Sequence, residues 1–327
     1  MTSDHARGTT SGLPTVSVVV PTFRRRDGLE AVLAPLLADP AATQVVVVVD
    51  GSDDGSYELL QDLARRHASL VPVLTPNQGP AAARQHGIDL ATGDVVLMVD
   101  DDVVAAPGLV TGHARHHADA DDLVVLGYMP TRLPPTGTRG AFATVLYAAE
   151  YEANCTVVER DPEQVLMRLW GGNLSVRREQ LARVPFASPE FVGTYHEDSD
   201  FGIRCRKAGL RGRFDRSLRS SHEHHRSMPA FRRDARRQGA GRYELHQLHP
   251  DVLPAYDLSS TAPGGPGLPA AAAVAVLEHP RVLPVLLAVL ATLTTAASRL
   301  GLRAVEMPGA RLVRRLELRR GVRQAAA

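Results

Sequence analysis

The stretch Val95-Val-Leu-Met-Val-Asp-Asp-Asp102 is an apolar run that stops abruptly at three carboxylates. Five apolar residues bounded by polar ones fit a fully buried strand. The acids cannot follow it into the core, because burying unpaired charge is too costly. They must sit in a cleft, at the surface or against a cation. Open parallel sheets bind ligands just beyond the carboxyl ends of their strands. Asp100 and Asp102, spaced D-x-D, are therefore the leading candidates to hold a divalent metal and, through it, a diphosphate.

The rest of the chain supplies the sheet that such a strand requires. Val16–Val20, closed by Pro21, and Val45–Val49 are further buried strands, and Val71–Leu74 is a third. Between them, Leu29, Val32, Leu33, Leu36 and Leu37 repeat at helical spacing, with Asp27 as the expected cap and Pro35 as a break in the pattern. Ser56–His67 and Pro80–Ala91 also read as helices, the latter with proline in its first turn, where the missing N–H does no harm. A weaker strand follows at Leu123–Gly127. This alternation predicts an α/β fold with a mainly parallel, twisted, Rossmann-like sheet and helices on both faces.

Residues 1–14 read as a disordered tail without a signal-peptide core. Residues 15–253 form the expected globular body, with a nucleotide-binding half over 15–127 and an acceptor and catalytic half over 128–253. Residues 128–140 read as a loop. Residues 254–269 are a Pro/Gly linker, and 270–327 a helical extension. At 327 residues the chain can bury a substantial core. A net charge of +1 gives no case for nucleic-acid binding. Two cysteines, Cys155 and Cys205, exclude a disulfide scaffold and a Cys-rich zinc site, and fit a reducing compartment.

Six other segments can carry chemistry. Pro21-Thr-Phe23 ends the first strand, where Thr22 and Phe23 can face a planar ligand. Asp50 opens a glycine-containing turn at the same sheet edge as Asp100. Arg84 is the lone cation on its helix and suits phosphate or base recognition. Trp170-Gly-Gly-Asn173 offers an aromatic face with amide donors for a sugar ring, or else a packed core tryptophan. His196-Glu-Asp-Ser-Asp200 begins a helix that ends at Gly209. Acids in a first helical turn are common dipole partners, and the dipole is expected to lower their pKa. Three acids and a histidine exceed what capping needs. Finally, Ser221-His-Glu-His-His225 places three histidines within four positions, suggesting a metal ligand or phosphate contact.

Together these segments resemble the family 2 glycosyltransferases, which have the GT-A fold. The resemblance covers roughly residues 16–250. It rests on V-x-V-V-V-P-T-F at 16–23, V-D-G-S-D-D-G-S at 49–56, N-x-G-x-x-x-A-R at 77–84 and T-G-D-x-V-x-x-x-D-D-D at 92–102. It continues through G-G-N-L-S-V-R-R at 171–178, E-D-S-D-F-G-I-R at 197–204 and the histidines at 222–225. The resemblance implies an inverting hexosyltransferase with a nucleotide-diphosphosugar donor, UDP-linked by preference, a hydroxyl acceptor and Mn2+ or Mg2+. It implies that Pro21, Thr22, Phe23, Asp50, Arg84, Asp100 and Asp101 hold the nucleotide sugar, with Arg84 on the base side. Asp102, Asp100 and His222, with His224 or His225 as alternatives, would meet the metal. Asp198 falls at the base position, with Glu197 beside it. Trp170, Gly171, Gly172 and Asn173 would line the donor-sugar and acceptor cleft.

The acceptor class stays open: a glycan, a lipid-linked glycan or a small molecule. Gln238-Gly-Ala-Gly-Arg-Tyr243 is not the Q-x-x-R-W of the polymerising members, so single addition is expected. Val282–Ser298 is short for a membrane span, and 311–323 is basic and amphipathic. Packing on the body, a homodimer or peripheral contact with the inner face of a plasma membrane through 282–323 is expected over a span, in a cytoplasmic protein. Two rival readings are a non-catalytic sugar-nucleotide-binding protein and a sugar-nucleotide pyrophosphorylase. The latter lacks its G-x-G-T-R loop here, where the sequence reads P-T-F-R-R-R.

Overall fold

A computed structural model describes residues 12–135, 138, 140–191, 195–224, 226–253 and 282–327. Most of the expected tail, the 254–269 linker and His225 lie outside the described residues.

Valine-rich runs make the central strands, as β-branched side chains favour a pleated, buried surface. Strands β1 (Val16–Thr22) and β4 (Val95–Val99) are buried throughout, and β2 (Ala42–Asp50) over its last six residues. With β3 (Leu70–Thr75) they stand in the order β3-β2-β1-β4, all parallel. The sheet is mainly parallel as expected, and the second half adds two reversed strands. Strand β7 (Asn173–Arg177) enters antiparallel between β4 and β6 (Leu123–Tyr128). Strand β8 (Arg211–His222) runs parallel to β6, and the short β5 (Val103–Ala105) pairs antiparallel with the end of β8.

The reversal of β7 has a positional consequence. Strands β4, β6 and β8 share one direction and end at one edge; β7, running backwards, begins there. Asn173 is accordingly paired with Val99. That edge collects the acids after β4, the Gly171–Gly172 pair before β7 and the histidines after β8.

Helices α1 (Arg26–Leu37), α2 (Ser56–Ala64), α3 (Pro80–Asp89) and α4 (Leu109–His116) connect the first strands. Asp27 lies inside the first turn of α1 and does not cap it; the helix continues through Pro35. Helix α5 (Phe142–Arg160), the short α6 (Arg178–Arg183), α7 (Glu197–Lys207) and α8 (Met228–Leu248) follow. The extension is a hairpin of α9 (Leu283–Arg299) and α10 (Arg303–Ala326). Phe142, Leu146, Phe231, Leu287, Val313 and Leu316 form an apolar cluster that joins the hairpin to α5 and α8.

Helices α8 and α10 meet backbone to backbone. A Cβ on Gly239 would overlap the Leu318 carbonyl, and one on Gly321 the Arg236 carbonyl. Overpacking of this kind typically costs about 1–3 kcal/mol. Gly321→Val is expected to lower Tm by several degrees and to expose α8 to proteolysis; an unchanged melting curve would contradict the close contact.

Candidate active site

A cavity of about 780 Å³ opens at the sheet edge. It is lined on one side by Asp100, Asp102 and Gly171–Gly172, and on the other by His196, Glu197 and Asp198 from the start of α7. The two acidic groups predicted from sequence therefore share one pocket.

Arg84 connects them from below. It arrives on α3, is 4% exposed, and places Nη2 2.5 Å from Asp100 Oδ1. Its guanidinium lies 4.9 Å over the Phe186 ring. A Cβ on Gly171 would come within 3.4 Å of the guanidinium carbon, and one on Gly172 within 2.7 Å of Asp100 Oδ2. The glycine pair thus lies directly on the ion pair. Gly172→Ala is expected to push the Asp100 carboxylate aside and reduce turnover about tenfold or more, a loss in the range reported for small displacements of positioned groups. The folded state should survive, because the atoms in the way, Asp100 Oδ2 and Met129 Sδ at 3.0 Å, belong to side chains that can shift. Wild-type turnover in a folded variant would show that Asp100 need not hold its position.

The acids after β4 have different partners. Arg25 reaches Asp102 Oδ2 at 2.5 Å and Asp101 Oδ1 at 3.5 Å. The Phe23 N–H donates to Asp101 at 3.3 Å. Burial pushes the Asp101 carboxyl up to about 6, with Asp102 and Asp100 adding repulsion. Burial also raises Asp102, but His222 and the charges of Arg25 and Arg226 outweigh it, and the net shift is downward.

Strand register brings His222 against Asp102. Val103 is paired with His222, and the Glu223 N–H donates to the Asp102 carbonyl at 2.8 Å. His222 Nε2 consequently faces Asp102 Oδ1 at 3.5 Å. His224 lines the same cavity, its ring stacked on Tyr147 at 4.4 Å, while His222 meets that tyrosine edge-on at 5.2 Å. A carboxylate oxygen and an imidazole nitrogen are a donor set suited to a divalent ion such as Mn2+. Two protein donors suffice where substrate phosphates complete the shell. No group of three or more His, Cys, Asp or Glu ligands is found among the described residues. Asp100 lines the same cavity with its Oδ1 bonded to Arg84.

Glu197 and Asp198 occupy the first turn of α7, and the Ser199 N–H donates to Asp198 at 2.8 Å. The dipole-lowered pKa expected from sequence is not observed. Burial raises both carboxyls; Asp198 further raises Glu197, Asp100 further raises both, and Arg84 opposes the shift in each. Desolvation outweighs the helix terminus here because the turn is half-buried in the cavity wall. Asp200 has a structural role: it is 2% exposed and bonded to Arg204 and His249, each at 2.8 Å.

Several expected contacts lie elsewhere. Asn173 faces the opposite side of the sheet from the cavity, accepting at 2.8 Å from His113 and donating to the Leu218 carbonyl. The alternation of side chains along β7 accounts for this: once Gly172 faces the cavity, Asn173 points away. Trp170 is a packed tryptophan. Its Nε1 donates to the Gly127 carbonyl, and Tyr151 and Phe214 meet it edge-on, leaving part of the ring at the cavity wall. Asp50 is 4% exposed, and its two oxygens accept from the Gln78 and Gly79 N–H groups. That carboxylate ties the loop before α3. Pro21, Thr22, Phe23 and Asp101 lie beside the cavity without lining it, and Phe23 is 45% exposed. Arg84 bonds Asp100 within the site.

Sequence reasoning missed the far wall. Tyr147 and Glu150 of α5, Tyr195, and Asp234, Gln238 and Arg242 of α8 all line the cavity. The α8 residues repeat every four positions, one stripe of a helix; that spacing was the available signal. Arg314 of the hairpin closes the wall through Glu150 and Gln238.

Residues 17–177 match the family described as Glycosyl transferase family 2. The uncharacterized glycosyltransferase YfnE of Bacillus subtilis is 24% identical over 255 residues, 64% of this chain and 65% of its own. Validoxylamine A glucosyltransferase of Streptomyces hygroscopicus is 27% identical over 62% of this chain and 54% of its own length. The chain thus spans less than two thirds of these curated relatives. The mannosyltransferase PcManGT of Pyrobaculum calidifontis, solved with GDP-Man and Mn2+, superposes with a TM-score of 0.61 at 20% identity, over 96% of this chain and 87% of its own. The fold is that of the GT-A glycosyltransferases, and residues 17–177 carry the match to glycosyl transferase family 2.

Proposed function

We propose that the chain is an inverting, metal-dependent glycosyltransferase that moves a sugar from a nucleotide-diphosphosugar, a UDP-sugar by preference, to a hydroxyl acceptor in single additions. One observation carries the reading: the Asp100/Asp102 edge and the Glu197/Asp198 turn line a single cavity, with Arg84 bonded to the first and electrostatically coupled to the second. The GDP-Man and Mn2+ bound by the structural neighbour support the donor class and the metal.

In this reading the acceptor hydroxyl oxygen attacks the anomeric carbon on the face opposite the diphosphate. The anomeric carbon–diphosphate oxygen bond breaks, and the nucleoside diphosphate leaves with the electron pair. Asp198 takes the hydroxyl proton, and its raised pKa suits it to that task. Glu197, one residue away, orients the reacting hydroxyls. Asp102 and His222 would hold the divalent ion, whose charge stabilises the leaving diphosphate. Arg25 already lies against Asp102 and supplies fixed positive charge at the same edge.

Incubating the pure chain with UDP-, GDP- and dTDP-sugars and Mn2+, and following donor hydrolysis and transfer, tests the reading. Hydrolysis should appear with one nucleotide, vanish with EDTA and return with Mn2+. Asp102→Ala should weaken Mn2+-dependent donor binding about tenfold or more by titration calorimetry. Tight donor binding with no turnover on any acceptor would favour the non-catalytic binding protein. Hydrolysis unaffected by EDTA would remove the metal from the site.

A further inference from the structure

The α9–α10 hairpin is amphipathic in an unusual way. Its inner face carries Leu287, Ala310 and Val313, none of them exposed, in the cluster with α5 and α8. Its outer face is apolar as well. Among the described residues thirteen large apolar side chains are exposed, and eight of them lie in this hairpin. Such concentration marks an interaction surface rather than scattered surface residues. Val285, Val289 and Leu293 form one stripe at four-residue spacing on α9. Leu300 and Leu302, 71% and 51% exposed, stand at the turn, and Val305 continues the face on α10.

The charges decide what covers it. Residues 282–327 contain eight arginines and two glutamates, in a chain whose net charge is +1. Both glutamates point inward. Glu306 is 1% exposed and paired with Arg303, and Glu317 is fully buried against Arg232 of α8. Arg299, Arg311 and Arg315 are exposed. The outer surface therefore combines apolar side chains with positive charge and presents no acid. A second copy of the same face would bring arginines against arginines, and a neutral segment would leave them unmatched. No described helix is long and apolar enough to cross a membrane.

We propose that the outer face of the hairpin docks on an anionic lipid bilayer, lying in the interface with its apolar stripe among the acyl chains and its arginines at the headgroups. Arg314 of the same hairpin lines the cavity, so docking places the cavity about one helix diameter, ~10 Å, from the lipid surface. The inference does not depend on the transferase reading.

Sedimentation of the full chain with vesicles of phosphatidylglycerol and phosphatidylcholine, against phosphatidylcholine alone, tests it without donor or acceptor. The chain should pellet with the anionic vesicles and be released by high salt. Replacing Arg299, Arg311 and Arg315 together by Gln should weaken binding about a hundredfold, at roughly fivefold per arginine. Val289→Ser with Leu293→Ser and Leu300→Ser should weaken it comparably, with Tm unchanged because these side chains are already exposed. A chain that stays in the supernatant, or binds both vesicle types equally, overturns the proposal. If the serine variant instead converts a dimer to a monomer, a second copy covers the face. If it lowers Tm without vesicle binding, the apolar stretch 270–277 of this chain does so; either result equally overturns the proposal.

Discussion

Asp198→Asn should reduce glycosyl transfer by about 10²–10⁴-fold, the usual contribution of a positioned general base, while donor affinity stays near that of the parent chain. Asparagine fills the same volume and still accepts the Ser199 N–H bond, so the variant should fold. It cannot take a proton. The sign of the pH dependence follows from the environment. Asp198 acts only when ionised, and burial with the nearby Asp100 charge raises its pKa. Turnover should therefore climb with pH through an acid limb that lies above the ordinary carboxylate range, and then level off. Glu197 is raised for the same reasons, so the limb reports the pair rather than one residue. Glu197→Gln removes a neighbouring negative charge and should shift the limb toward lower pH while lowering turnover less than Asp198→Asn does. A profile already flat at pH 5, or near-normal turnover in Asp198→Asn, would remove Asp198 from the role. Measuring kcat separately from donor Kd distinguishes loss of the base from loss of the donor site.

The parts of this site that were legible in the sequence are those fixed by local pattern. An apolar run followed by acids places those acids at a strand end, because the core cannot accept them. The first four strands and the helices between them carry that logic, and their parallel order is as expected. The paired acids of α7 were legible because too many carboxylates occupy one turn for capping alone. What was not legible depends on pairing across long separations. Nothing local to Asn173 says which face of the sheet it will take; its place one residue after Gly172 in the assembled pleat turns its side chain to His113 instead of the cavity. The contact of His222 with Asp102 comes from the register of β8 with β5, a contact between segments more than a hundred positions apart. The pKa of the α7 acids depends on burial in a cavity wall shared with α5 and α8 residues, and neither helix announces itself by motif. Local electrostatics alone gave the wrong sign there. Desolvation is a property of the assembled wall and cannot be read from the turn that it surrounds.

Arg84 is where the two levels meet, and its replacement is the second large effect. The sequence motif places it with the nucleotide base; the structure places it beneath Gly171, 2.5 Å from Asp100 and over Phe186. Its charge opposes the rise in both α7 carboxyls. Arg84→Met keeps much of the apolar stem and removes the cation. Asp100 is then left without its partner, beside two acids that already repel one another. Three consequences are expected together. The acid limb of turnover should move up by roughly one pH unit or more, the usual effect of an opposite charge at close range. Stability should fall by about 1–3 kcal/mol, less than for a fully enclosed pair, because Asp100 is partly open to the cavity. Turnover at neutral pH should drop in step with the fraction of Asp198 still ionised, and recover at higher pH. Arg84→Lys restores the charge without the planar stack on Phe186; it should return the limb most of the way and the stability only in part. A base-binding arginine predicts a different pattern: donor Kd would rise, nucleotide preference would relax, and the pH profile would keep its position. An unmoved limb in Arg84→Met, with donor Kd raised, would return this residue to the nucleotide and leave the acid pair without its cation.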